Sequence, residues 1–100
     1  MLMVRELLAQ KERWCQGAMA RDKNGNRICY DAPEAASFDL FGAILKCYDR
    51  SPWIMDVFLS VRLAVFLVYS PDAFGNFLAV NDYEDMTYET IMKIIIRADV

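Results

Sequence analysis

The 100-residue sequence contains no histidine, only four glycines and three prolines, and no glycine-rich phosphate loop. Its three cysteines, Cys15, Cys29 and Cys47, are too far apart for a local C-x-x-C pair. A zinc knuckle or dithiol redox motif is therefore excluded, and any fourth metal ligand would have to be a carboxylate. No metal or other cofactor is expected. A surplus of basic charge is also missing: eleven Lys and Arg against fourteen Asp and Glu give a formal charge of -3 and a pI near 4.8. A dedicated nucleic-acid binder needs the opposite balance to displace counterions from phosphates, so nucleic acid is not an expected partner. Long apolar runs are absent as well. The greasiest stretch, Val57 to Tyr69, is interrupted by Arg62 and falls short of the roughly 20 residues a bilayer-crossing helix needs.

What remains is 56% hydrophobic and 25% charged, too apolar for a disordered chain and too varied for a fibre. A chain of this mass folds to roughly 5,800 Å² of surface, which leaves room for one core, and residues 1–100 are expected to form one domain. The odd cysteine count, with Arg5 and Glu6 in an amphipathic start where a secretory leader would be basic and then apolar, reads as a reducing cytoplasm.

Residues 2–15 place Val4, Leu7, Leu8, Trp14 and Cys15 near helical spacing, which predicts a first amphipathic helix. Asn24-Gly25, just before Arg27-Ile28-Cys29-Tyr30, predicts a tight turn with a short hairpin. Asp31-Ala32-Pro33-Glu34 has the proline and early acid of a helix start. The helix it predicts carries Ala35, Phe38, Phe41, Leu45 and Tyr48 as one stripe, widened by Leu40, Ile44 and Cys47. Within it Asp39 is an odd carboxylate, expected either to face water or to meet an arginine such as Arg62.

Ser51-Pro52 signals another start, followed by Ile54, Val57, Phe58, Val61, Ala64, Val65 and Val68 at close to ideal helical intervals. The same residue types favour strands, so Leu63–Tyr69 and Phe77–Val80 read alternatively as a hairpin about Ser70–Gly75; the unbroken period favours the helix. Thr87 is placed to cap a last helix with Ile91, Ile94, Ile95 and Ala98 inward. The predicted fold is mainly α, a compact bundle of about four helices with a short hairpin-like loop near residues 18–30.

Three segments together carry a resemblance. They are Trp14-Cys15-Gln16-Gly17-Ala18-Met19-Ala20-Arg21-Asp22-Lys23-Asn24-Gly25, then Phe41-Gly42-Ala43-Ile44, then Asn81-Asp82 ahead of Thr87. They resemble a family of small bacterial and phage-associated domains of unknown function, with W-C-x-G-A-x-A-R-D-x-x-G, W-C-x-x-G-A-L and W-N-D-x-x-x-x-T-x-x-E-V motifs. This chain has Phe38-Asp39 in place of the second Trp-Cys, Val80 in place of the last Trp, and Thr90 in place of the Glu. Trp53–Phe77 lies outside the resemblance, which implies no activity.

The candidate binding residues are Trp14, Cys15, Arg21, Asp22, Asn81, Asp82, Glu84 and Asp85. Arg21 close to Cys15 would favour a thiolate, whereas a free cysteine otherwise packs as a small apolar side chain. Arg21-Asp22 meeting Asn81-Asp82 would form either a clamp between loops or a cleft for a polar ligand. The acidic run Asp82, Glu84, Asp85 lacks the ligand spacing and glycine of a calcium loop, and no catalytic residue is expected. More telling is the apolar surplus. A four-helix domain of this size cannot hide both faces of the Trp53–Tyr69 segment together with Trp14, Phe74 and Phe77. That surplus predicts a non-enzymatic protein-interaction domain, joined as a homodimer or to a protein partner; the resemblance adds an inhibitor or regulator of a host protein. The alternative is a small polar-ligand-binding or catalytic cleft built from Cys15, Arg21, Asp22, Asn81 and Asp82.

Overall fold

A computed structural model describes residues 2–100; for residues 71–75 the description is of the backbone alone, so Phe74 lies outside the described residues as a side chain. Just over half of the chain is helical, with a two-stranded sheet as its small β component, which makes it the mainly α bundle expected from sequence. In chain order the elements are α1 (Val4–Leu7), a 3-10 turn (Lys11–Arg13), β1 (Ala20–Arg21), β2 (Ser37–Phe38), α2 (Leu40–Tyr48), α3 (Ile54–Val68), a 3-10 segment (Pro71–Asp82) and α4 (Tyr88–Ala98). The 3-10 segment is kinked at Asn76.

The spine is α3. Val57, Val61, Ala64 and Val65 recur every three or four residues and are buried against α4 and the 3-10 segment, as one stripe of a 3.6-residue helix must be. The helix is continuous to Val68, so the hairpin alternative for residues 63–80 is excluded. Its start differs from expectation. The Ser51 hydroxyl accepts the Trp53 N–H at 3.1 Å, but helical geometry begins only at Ile54. Helix α4 begins as expected, with the Thr87 hydroxyl accepting the Thr90 N–H at 3.2 Å and Ile91, Ile94 and Ile95 buried. The Thr90 hydroxyl lies 3.0 Å from that of Thr87, so a hydroxyl pair stands where a glutamate would close a capping box. Asp99 ends the helix at φ 60° and pairs with Arg5 at 2.7 Å, while the Val4 N–H donates to the Val100 carbonyl.

Two helices differ from the sequence expectation. Residues 2–15 form a single turn of α-helix and then a 3-10 turn. Val4, Leu7 and Leu8 are buried, but the next inward positions of a continued helix would be Lys11 and Glu12, which have nothing apolar to bury. The chain leaves the helix instead and carries Trp14 to Phe38 and Asn81. The second helix starts at Leu40, not at the Pro33 signal. Ser37–Phe38 pairs antiparallel with Ala20–Arg21, and that strand pairing overrides a local helix start whose residues Pro33 and Glu34 have little to pack on. Asp39, 8% exposed, therefore neither faces water nor serves as a mid-helix charge. It caps α2, its carboxylate accepting the Gly42 N–H at 2.6 Å.

The hairpin-like loop is present: Asp22 N–H donates to the Asn26 carbonyl, Ile28 N–H to that of Ala20, and Gly25 takes φ 84° at the turn, a conformation that glycine enters without strain.

Candidate functional site

Asn81 is the centre of the motif-bearing region. Its side chain is 1% exposed, and the physics of burial requires its amide to be paired. Oδ1 accepts the Trp14 indole N–H at 2.7 Å and the Leu40 backbone N–H at 3.0 Å. Nδ2 donates to the Cys15 carbonyl at 3.1 Å and to Asp82 Oδ1 at 2.9 Å. Both acceptor lone pairs and both donor hydrogens are thus used on partners from three parts of the chain. Asp82 Oδ1 also accepts the Gly17 N–H at 2.9 Å, at a glycine with φ 81°. Gln16 completes the set, donating to the Asn81 carbonyl at 2.9 Å and the Tyr83 carbonyl at 3.3 Å.

The eight candidate residues do not form one cleft. Trp14, Cys15, Asn81 and Asp82 come together, and Arg21 is adjacent, donating to the carbonyls of Gln16 and Gly25. Asp22 turns away: its carboxylate accepts the N–H groups of Asn24 and Asn26, and those hydrogen bonds lower its pKa. Asp85 accepts the Tyr69 hydroxyl at 2.7 Å, and Glu84 is exposed. Among the described residues no group of three or more Cys, Asp or Glu side chains is placed to hold a metal.

Electrostatics oppose a reactive thiol here. Cys15 is half-buried, its Sγ directed at the Ala18 carbonyl at 3.5 Å. Burial raises its pKa, opposed by a Ser37 hydrogen bond; the Arg21 cation lowers it by less than burial raises it. The expected thiolate-stabilising role of Arg21 is therefore outweighed by desolvation. Burial and the neighbouring Asp82 charge push Asp39 up to about 6, against the Gly42 hydrogen bond that lowers it.

Two further residues contribute, Gln16 and Gly42. Gln16 has no local signal, because its partners lie 65 and 67 positions away. Gly42 did have one. A glycine inside a helix is costly unless something approaches closely, and a Cβ at Gly42 would overlap the Met19 carbonyl oxygen, the same oxygen that accepts the Asp39 N–H at 3.1 Å.

The outer face of α3 is of a different character. Trp53, Met55, Leu59, Leu63 and Leu67 are 64, 66, 57, 54 and 49% exposed, and Phe66 is 39% exposed. Beside them Ser60, Leu63, Ala64 and Leu67 of α3, with Arg97 and Ala98 of α4, line a groove of about 160 Å³. No described helix is long and apolar enough to cross a membrane. No family model, curated protein or solved structure matches the chain.

Proposed function

We propose that this chain is a non-enzymatic protein-interaction domain whose contact surface is the outer face of α3, and that its occupant is a second copy of the same chain. The observation that carries this reading is the exposed row of the cap residue Trp53 and of Met55, Leu59, Leu63, Phe66 and Leu67 on α3. With aromatic side chains offering ~150–250 Å² when open and Leu and Met somewhat less, the row leaves roughly 600 Å² of surface uncovered. That equals the largest patches found on monomers, about 300–600 Å². It also supplies most of the ~800 Å² that each partner contributes to a stable interface. A two-fold dimer covers such a patch with itself, since a patch meets its own copy in an isologous contact. The buried polar groups of the Asn81 clamp are satisfied internally, which supports its role as a frame that ties residues 14–17, the start of α2 and the end of the 3-10 segment together.

Sedimentation equilibrium tests the proposal. The native chain is expected to sediment as a dimer of 11.5 kDa subunits, and Leu63→Glu, placing a charge in the middle of the exposed row, is expected to give folded monomers. A native chain that stays monomeric at high micromolar concentration contradicts it.

A further inference from the structure

We infer that the two copies pair antiparallel along α3, with Trp53 of each copy seated in the groove between α3 and α4 of the other. The inference rests on the reading of a second copy as the occupant and specifies how that copy docks. Three observations support it.

The first is a match of size and chemistry. The groove holds about 160 Å³, and an apolar cavity of roughly 150 Å³ accommodates a benzene ring. Its floor and walls are Leu63, Ala64, Leu67 and Ala98, while Ser60 and Arg97 add a hydroxyl and a guanidinium. An indole suits this set: its N–H donates to a hydroxyl, and its face is the best aromatic partner for a cation. Trp53 is the one tryptophan of the chain that is largely open, at 64% exposure. The other, Trp14, is engaged with Asn81.

The second observation concerns position. Ser60, Ala64 and Leu67 are separated by four and three residues, so they share one stripe of α3, with Ala64 as its buried floor, and Trp53 stands at the N-cap of the same helix. A two-fold axis perpendicular to two antiparallel helices sets each stripe against its own copy. The ring and the groove then meet reciprocally, once on each side of the axis. The centre of the groove lies about 16 Å along the helix from Trp53 at 1.5 Å per residue. The axis accordingly crosses α3 halfway, beside Asp56 and Leu59, which are exposed, with Val57 buried between them.

The third is composition. Aromatic anchors in pockets dominate interface energetics, and tryptophan leads that list. A tryptophan held open at the head of a helix that also lines a groove able to take an aromatic ring is an arrangement a self-complementary contact can use.

The test uses the full chain, with sedimentation velocity over a concentration series. Trp53→Ala removes the anchor, and Ser60→Trp fills the groove from within its own subunit. Both positions are exposed, and unchanged far-ultraviolet circular dichroism confirms the helical fold of each variant. Each variant is expected to raise the dimer dissociation constant tenfold or more, and the double variant is expected to lose little beyond the worse single one, because the two changes break the same contact. Dimers of native strength in either variant, or full additivity of the two losses, overturn the Trp53 pairing while leaving the dimer intact. A native chain that never dimerises overturns both readings.

Discussion

The indole N–H of Trp14 donates to Oδ1 of Asn81 at 2.7 Å, joining residues 67 positions apart. The same oxygen accepts the Leu40 N–H at the start of α2, so a single amide ties the N-terminal segment, the second helix and the end of the 3-10 segment together.

Asn81→Ala leaves the Trp14 indole N–H, the Leu40 N–H and the Cys15 carbonyl without their partner in a buried site. Unsatisfied buried polar groups cost about 1–3 kcal/mol each, partly relieved by water entry, so a loss of about 3–5 kcal/mol is expected. Urea unfolding followed by circular dichroism measures it. A loss below about 1 kcal/mol would show that the clamp is incidental.

Gly42→Ala reverses a familiar sign. In an open helix alanine is worth about 1 kcal/mol over glycine. Here the added methyl meets the Met19 carbonyl oxygen, which is backbone and is itself bonded to Asp39. A destabilisation of about 2–4 kcal/mol is expected in the same unfolding assay, and a gain in stability would contradict the close approach.

Asp39 gives a pH dependence with a definite direction. Its carboxyl lies at about 6 in the fold against an ordinary 3.8, so the folded state holds the proton more tightly than the unfolded chain. Its contribution is fully present below about pH 4 and is lost as pH rises through 6, by at most about 3 kcal/mol. Asp39→Asn keeps an oxygen for the Gly42 N–H without a buried charge. The variant is expected to be at least as stable as the native chain at pH 7 and to lose the decline between pH 4 and 7. An unchanged slope in the variant would assign the titration elsewhere.

The thiols separate the scaffold from a catalytic reading of Cys15. Cys29 is exposed, whereas burial raises Cys15 and pushes Cys47 up to about 11. Alkylation at neutral pH, followed by mass spectrometry, is expected to modify Cys29 first, with Cys15 and Cys47 protected until unfolding. Labelling of Cys15 as fast as Cys29 would restore the cleft as a chemical site.

Much of the helical frame is legible in the sequence. Val57, Val61, Ala64 and Val65 announce α3 by period alone, Thr87 announces α4, and Asn24-Gly25 announces the hairpin-like loop, because each of these signals is local and no distant contact competes with it. The start of α2 was not legible, since the Pro33 signal is overridden by strand pairing between Ser37–Phe38 and Ala20–Arg21, which no local window contains. Of the motif residues, Asn81 and Asp82 meet Trp14, Gln16 and Gly17 in place of Asp22. Side-chain direction in a loop depends on the turn it caps, and Asp22 caps its own.

Small-angle X-ray scattering of the native chain tests the central claim most directly. A dimer joined along α3 is expected to give a forward-scattering mass of twice 11.5 kDa and a radius of gyration well above the 12.5 Å of the single chain, both falling toward the monomer values on dilution. A mass of 11.5 kDa and a radius near 12.5 Å, allowing for hydration, at every concentration would contradict the account.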